Sequence, residues 1–134
     1  SGCTFSHCTA YDNDGEGFET DYAASIEACN ASLNTSHGIW LFQDSHAVNN
    51  TCDSNGSGGN GYGIYASSSD NTMEGNQVTD NDFGIWCTSG NLVIRNRAAG
   101  NTTNYSVNAS ATYGPIISAT GEITSTSPWA NFSF

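Results

Sequence analysis

The chain has 134 residues, of which only 11% are charged, and 13 acidic residues against two basic ones give a formal net charge of −11. This length allows at most one domain, and the negative charge argues against nucleic acid or anionic lipid as a partner. No run of about 18 apolar residues is present, so no membrane insertion is expected.

The chain begins Ser1-Gly2-Cys3, without a basic, apolar leader. Two interpretations follow: a signal peptide has been removed, or the chain is the mature or fragment form of a protein. Because charged residues are few, the surface must be covered by Asn, Ser, Thr and Gly. That composition suits repetitive β structure with many short turns.

A glycine followed by an apolar residue recurs along the chain at nearly constant spacing. The intervals are 21, 25, 21 and 20 residues, and the markers are Gly17-Phe18, Gly38-Ile39, Gly63-Ile64, Gly84-Ile85 and, with Asn in place of Gly, Asn104-Tyr105. A glycine-rich insertion at 56–61 explains the long interval. A period of this length predicts a repeat architecture in which successive turns stack.

Small or apolar residues define three predicted inward columns, because alternate residues of a strand share one face. The first column holds the apolar marker residues and those two positions later: Thr20, Leu41, Ala66, Cys87 and Val107. The second holds Cys8, Cys29, Cys52, Val78 and Ala98. The third holds Cys3, Ala24, Ala47, Met73 and Val93, with Ile26 and Val48 competing for the inward place.

Asparagine recurs after the second column, at Asn13, Asn34, Asn55, Asn81 and Asn101. A second series, Asn50, Asn76 and Asn96, lies two residues before that column. Asparagine tolerates the left-handed conformation of a sharp corner, and its amide can hydrogen-bond to the turns above and below. The two series therefore predict asparagine ladders at the corners of a β-solenoid.

The motif Asn-x-Met/Val-x-x-Asn-x-Val/Ala, followed by Asn and Gly-Ile, resembles the right-handed parallel β-helix repeats of pectate-lyase-like and NosD-like proteins over residues 3–110. The segments 114–117 and 128–134 resemble the tails of bacterial secreted members. The predicted fold is an all-β, right-handed parallel β-helix of about five to six turns. It forms one domain over residues 1–134, with repeating turns at 3–110 and an irregular C-terminal turn and cap at 111–134.

Acidic residues are concentrated near the first marker. Asp12, Asp14 and Glu16 alternate with other residues before Gly17, as at the start of a calcium loop, where hard oxygen ligands converge within one turn. The position that supplies the last carboxylate of an EF-hand is Ala23, so the pattern is incomplete. The alternatives are a calcium site, the only cofactor predicted, and a polar corner carrying surplus charge.

The residues between the two inward positions of each marker strand point outward, and three of them are aromatic: Trp40, Tyr65 and Trp86. Adjacent turns of a solenoid are about 4.8 Å apart, so these rings should form a strip on one face. Such a strip can bind sugar rings or another protein. The alternative interpretation is packing within the sheet or against the C-terminal tail.

The resemblance also implies that polysaccharide lyases, hydrolases or epimerases are relatives, and these need a basic residue or a close carboxylate pair in a groove. The available bases and cations are His7, His37, His46, Arg95 and Arg97. No lysine and no clear carboxylate pair accompany them, and His37 and His46 look like ordinary turn residues. The sequence therefore predicts a protein that is not an enzyme.

Two covalent modifications are predicted for an extracellular setting. Cys8 and Cys29 are neighbours in one column and are predicted to form a disulfide, whereas the absence of CxxC spacing argues against zinc. Asn-x-Ser/Thr sequons are about twice as frequent as composition predicts. They begin at Asn30, Asn34, Asn49, Asn55, Asn101, Asn104, Asn108 and Asn131.

The first turn offers an open hydrophobic column, because only two residues precede Cys3. The leading hypothesis is therefore a secreted structural protein at the cell surface that stacks end to end with copies of itself into filaments. One alternative is a carbohydrate-binding or adhesin module that uses the aromatic strip. A second is the C-terminal fragment of a polysaccharide lyase, hydrolase or epimerase.

Overall fold

A computed structural model describes residues 2–118 and 120–134 and contains only β-strands as regular elements within them. The strands are β1 (Thr4–Ser6), β2 (Thr9–Tyr11), β3 (Phe18–Tyr22), β4 (Ser25–Glu27), β5 (Asn30–Ser32), β6 (Ile39–Gln43), β7 (His46–Val48), β8 (Thr51–Asp53), β9 (Tyr62–Ala66), β10 (Thr72–Glu74), β11 (Gln77–Thr79), β12 (Phe83–Cys87), β13 (Leu92–Ile94), β14 (Arg97–Ala99), β15 (Thr103–Val107), β16 (Thr112–Tyr113), β17 (Ile116–Ile117) and β18 (Asn131–Ser133).

The strands form three parallel sheets that the chain visits in the same order on every turn. Sheet A has the order β1-β4-β7-β10-β13-β16, sheet B the order β17-β18-β14-β11-β8-β5-β2, and sheet C the order β15-β12-β9-β6-β3. Each strand from β1 to β13 pairs with the strand one turn later in its own sheet. The structure therefore confirms the predicted β-solenoid of about five turns.

The corners occupied by asparagine combine a left-handed residue with a residue of an inter-turn ladder. The ladder asparagines were predicted to adopt the left-handed conformation, but the residue before each asparagine adopts it instead. Before the first asparagine series these residues are Asp12, Leu33, Ser54, Asp80 and Gly100, with φ between 55° and 71°. The asparagine itself is then free to point its side chain along the solenoid axis.

The two predicted asparagine ladders are confirmed. In the first ladder, Asn55 Oδ1 accepts a hydrogen bond from the Asn34 backbone amide at 3.2 Å. The Nδ2 atom of Asn55 donates to Asn81 Oδ1 at 2.9 Å. In the second, Asn50, Asn76 and Asn96 repeat this pattern at 2.9–3.0 Å. Every buried side-chain nitrogen and oxygen in the described residues has a hydrogen-bond partner.

The inward columns confirm the prediction for the middle of the chain and correct it for the first turns. The marker column and its neighbour two residues later pair as predicted. The second column is Ala10, Ala31, Cys52, Val78 and Ala98, and the third begins with Phe5 and Ile26. Cys3, Cys8, Ala24 and Cys29 were assigned to these columns wrongly, because each lies two residues earlier, at a corner. Ala24 and Cys29 are nevertheless buried there, whereas Cys3 and Cys8 are exposed.

Cys8 and Cys29 occupy the ladder that continues as Asn50, and the predicted disulfide between them is absent. All five cysteines are free. The Cys8 amide donates to Cys29 Sγ at 3.4 Å, and the two thiols donate to the Ser6 and Glu27 carbonyls at 3.3 Å each. The Cys29 sulfur therefore acts as a ladder group between turns, whereas the Cys8 sulfur bonds within its own turn.

We expect thiol reagents to divide the cysteines into two classes. Cys3 and Cys8 are exposed and should react within minutes, whereas Cys29, Cys52 and Cys87 are buried and should react only on unfolding. Burial also raises the pKa of the Cys52 and Cys87 thiols, which lowers their thiolate fraction. Mass spectrometry of labelled peptides measures this. Fewer than five reactive thiols in denaturant without reductant would instead show a disulfide.

The C-terminal tail adds a strand to sheet B. β18 lies between β14 and β17, and Asn131 extends the second ladder by accepting from the Asn96 amide at 3.0 Å. The Asn131 Nδ2 donates to the Val93 and Gly114 carbonyls. The strand expected in the tail is present, and it lies at the C-terminal end of sheet B. No helix in the described residues has the length and apolar character needed to cross a membrane.

Candidate binding surface

Six aromatic rings form one continuous patch on the outer face of sheet C, which we call the sheet C aromatic surface. Trp40, Tyr65 and Trp86 are in register on β6, β9 and β12. A second column runs beside them, in which Tyr62 pairs with Phe83 and His37 lies against Tyr62. The structure thus confirms the outward register of the predicted strip and doubles its width.

Ring-to-ring contacts join the two columns. Trp40 and Tyr65 have centroids 5.9 Å apart, and Tyr65 and Trp86 are 4.9 Å apart. Across the columns, Tyr62 stacks on Tyr65 at 5.0 Å, and it stacks on Phe83 at the same distance. These distances lie in the range in which aromatic pairs attract, so the rings support one another.

All six side chains are half-buried, with one side of each against the sheet. One interpretation of the sequence was that the C-terminal tail packs on this strip, and that interpretation is wrong. The tail strand β18 pairs with β14 and β17 in sheet B. The sheet C aromatic surface is therefore left open by the described part of the chain.

Two hydrogen bonds fix rings at the edge of the surface. Trp40 Nε1 donates to Ser67 Oγ at 2.8 Å. His37 Nδ1 accepts from the Tyr62 amide at 3.2 Å, an arrangement that requires Nδ1 to be unprotonated. Burial lowers the pKa of His37, against a smaller opposite effect of Glu16. His37 therefore contributes a neutral ring to the surface and is not an ordinary turn residue.

Sequence analysis missed His37, Tyr62 and Phe83. Each lies just before a marker glycine, where a turn was expected, but β9 and β12 begin at Tyr62 and Phe83. The spacing of these three residues, 25 and 21, equals that of the markers and was the signal available in the sequence.

The acidic residues of the first turn are not arranged as a calcium site. Asp12 lies at a left-handed corner with φ 56°, and Glu16 accepts from Ser36 Oγ at 2.9 Å. Among the described residues no three acidic, histidine or cysteine side chains are close enough to hold a metal. The structure therefore does not bring Asp12, Asp14 and Glu16 together, because a solenoid corner points successive side chains apart.

The predicted bases and cations are dispersed. Arg95 forms an ion pair with Glu74 at 2.7 Å and lies 4.6 Å from the Trp129 ring, and Arg97 lies over Phe134. His7 bonds to its neighbour Ser6, and His46 lies in β7. Apart from His37, these groups are outside the sheet C aromatic surface.

The ladders also sort the predicted glycosylation sites. Asn34, Asn55 and Asn131 are buried, and the Nδ2 atoms of Asn101 and Asn104 are hydrogen-bonded within the fold. A glycan on any of these nitrogens would break a corner. Among the eight sequon asparagines, those that are exposed are Asn30, Asn49 and Asn108. Part of the excess of sequons therefore arises from the ladder asparagines, and the glycosylation prediction narrows to these three sites.

An apolar depression lies away from the aromatic surface. It has a volume of about 360 Å³ and is lined mainly by Leu92, Ile94, Tyr113, Pro115 and Trp129. Trp129 is the one tryptophan outside the sheet C aromatic surface and is half exposed there.

Three parallel sheets wound into one coil, with stacked apolar columns and corner ladders, define a β-solenoid. The chain belongs to the right-handed β-helix family, since the family model described as right handed beta helix region matches residues 1–126. No curated protein and no solved structure matches the chain significantly.

Proposed function

We propose that the protein is an extracellular, non-enzymatic module that binds carbohydrate through the sheet C aromatic surface. The observation that carries this proposal is the surface itself: six rings in contact, half-buried, with no other part of the described chain packed on them. A contiguous apolar patch that keeps part of its surface open to solvent can serve as a binding site. The apolar C–H faces of sugar rings are suited to stacking on indole and phenol rings.

The architecture supports binding with little rearrangement. The rings stand on paired strands whose register is set by buried residues beneath them, and Trp40 is held by its bond to Ser67. Tyr and Trp have few rotatable bonds, so ordering them on binding costs little conformational entropy. An extended sugar chain lying along the solenoid axis would meet Trp40, Tyr65 and Trp86 in succession.

The non-enzymatic part of the proposal is supported by the way the basic side chains are used. Arg95 is paired with Glu74, and the one histidine on the surface, His37, accepts a backbone hydrogen bond through Nδ1. A general base needs a free lone pair within reach of the proton that it removes. Stacking, by contrast, requires nothing of His37 beyond its ring.

We expect Trp86→Ala to weaken glycan binding about tenfold or more, because it removes a whole stacking face, and such a face contributes on the order of 1–3 kcal/mol. A glycan array first identifies a ligand, and isothermal titration calorimetry then compares variants of unchanged thermal stability. Trp129→Ala is the matched control, since it removes a half-exposed tryptophan on another face. Equal losses in both variants, or no ligand on the array, would refute the proposal.

End-to-end stacking is the second candidate function. The observation that favours it is the edge formed by β1, β2 and β3, each of which has a hydrogen-bonded neighbour on one side only. Such an edge pairs readily with further strands. A second copy could supply them and give filaments, which electron microscopy of concentrated protein would show.

The same edge also fits further turns of a longer polysaccharide-acting chain. Discrete monomers at every concentration would refute stacking. The length of the encoded precursor would distinguish a filament subunit from a fragment of a longer polysaccharide-acting chain.

A further inference from the structure

We propose that the ligand of the sheet C aromatic surface is a polysaccharide with free amino groups, and that Glu16 and Glu19 bind its ammonium groups. This inference rests on the proposed carbohydrate binding and specifies the class of sugar.

Both aromatic columns end in a glutamate at the same edge. Glu19 on β3 pairs in register with Trp40 on β6 and so continues the column of Trp40, Tyr65 and Trp86. Glu16 lies beside the second column, because its Oε1 accepts from Ser36 Oγ, one residue before His37. At the opposite edge the paired residues are uncharged: Thr103 beyond Phe83, and Ser106 beyond Trp86.

The two carboxylates are available to a ligand. Glu19 is exposed and Glu16 is half-buried, and neither is in an ion pair within residues 2–118 and 120–134. The chain has no lysine, and its two arginines lie elsewhere, against Trp129 and Phe134. With His37 held neutral, the surface has aromatic faces and negative charge but no cation of its own.

Aromatic faces together with carboxylates favour a positively charged ligand. An ammonium group gains from a carboxylate through a charge-assisted hydrogen bond and from an indole face through a cation–π contact. A sugar that carries carboxylates or sulfates would instead be repelled by Glu16, Glu19 and the net charge of −11. A neutral sugar would use the rings alone.

A basic peptide is the other cationic occupant, and the geometry favours it less. Extended peptides gain affinity by adding a strand to a sheet edge, where backbone groups are unpaired. The aromatic surface is the face of sheet C, and its central strands β6, β9 and β12 are paired on both sides. The free edge of the sheet at β3 lies beyond the rings, so a strand added there would not cover them. An amino sugar needs no backbone partner, since each ring offers an apolar face and an ammonium group together.

The test uses three β-1,4-linked hexasaccharides that differ only at carbon 2: glucosamine, N-acetylglucosamine and glucose. Calorimetry at mildly acidic pH, where the sugar amines are protonated, should show the glucosamine hexamer binding about tenfold or more tightly than the other two. The double variant Glu16→Gln/Glu19→Gln should reduce this preference to within about twofold and leave the affinity for the glucose hexamer unchanged. Glu27→Gln, an exposed residue of β4, controls for the loss of one negative charge away from the surface.

The outcomes separate this inference from the proposed function. Equal affinity for the three hexamers refutes amine recognition and leaves carbohydrate binding intact, whereas no binding of any glycan refutes both. A glucosamine hexamer that binds Tyr65→Ala as tightly as the unmodified protein would show non-specific attraction to net charge. A hexalysine peptide that binds as tightly as the glucosamine hexamer, and loses affinity in Tyr65→Ala, would overturn the assignment to sugar.

Discussion

We expect Asn76→Ala to lower the free energy of unfolding by about 3–5 kcal/mol. The Asn76 side-chain oxygen accepts from the Asn50 amide at 2.9 Å and its Nδ2 donates to the Ala47 carbonyl at 2.9 Å. Alanine would leave the buried Asn50 amide without a partner, which costs about 1–3 kcal/mol, and would remove one hydrogen bond from the Ala47 carbonyl. Two further ladder bonds, from Asn50 Nδ2 and to Asn96 Oδ1, would also be lost.

Denaturant unfolding measured by circular dichroism tests this expectation. The control is Asn30→Ala, since Asn30 is exposed on β5, and surface changes of this kind usually stay within about 0.5 kcal/mol. A change below about 1 kcal/mol for Asn76→Ala would contradict the view that the ladders hold the corners together.

We expect Gly38→Ala to lower the free energy of unfolding by about 3 kcal/mol. A Cβ at this position would lie 2.7 Å from the Gly63 carbonyl oxygen and 2.8 Å from Asn55 Nδ2. The first contact is with the backbone of the next turn and the second is with a ladder asparagine, so neither partner can move away easily. Overpacking typically costs about 1–3 kcal/mol, and rigid neighbours place this site at the upper end.

Gly15→Ala is the matched control for this substitution, because a Cβ there has no neighbour within 4 Å. The same denaturant experiment should find it within about 0.5 kcal/mol of the unmodified protein. Similar effects of the two substitutions would show that the marker glycines are not required by close approach between turns.

The marker glycines and ladder asparagines explain why the repeat was predictable from sequence. Gly38 recurs because an added Cβ would collide with the next turn, and Asn55 recurs because only a side chain that both donates and accepts can bond to two turns at once. Large aliphatic residues such as Ile64 and Ile85 have one stable place, the core. These constraints act on individual positions, so they are visible in a single sequence.

The first turns were less predictable because their residues fit two places. Cys3 and Phe5 are both apolar and two positions apart, so strand alternation gives them the same face and does not decide which one belongs to the inward column. Likewise Cys29 is small enough for the core, yet its sulfur serves as the acceptor of a corner ladder. The register of these turns depends on contacts with the turns that follow, which the pattern of a short segment does not contain.

The candidate site was half predictable for a related reason. Trp40, Tyr65 and Trp86 follow from strand alternation, whereas Tyr62 and Phe83 depend on strands that continue across a marker glycine. Whether the tail covers the strip also depended on where a distant segment docks. β18 joins sheet B because Asn131 completes a ladder there, a choice set by three-dimensional register.

The most direct test of carbohydrate binding at sheet C is a titration with the glycan followed by NMR of the indole N–H groups. The protein has three tryptophans, so its ¹H–¹⁵N spectrum should contain three indole resonances, which single Trp→Phe variants assign. We predict that the ligand shifts the Trp40 and Trp86 resonances and leaves that of Trp129 in place. A shift confined to Trp129, or none at saturating ligand, would contradict the account.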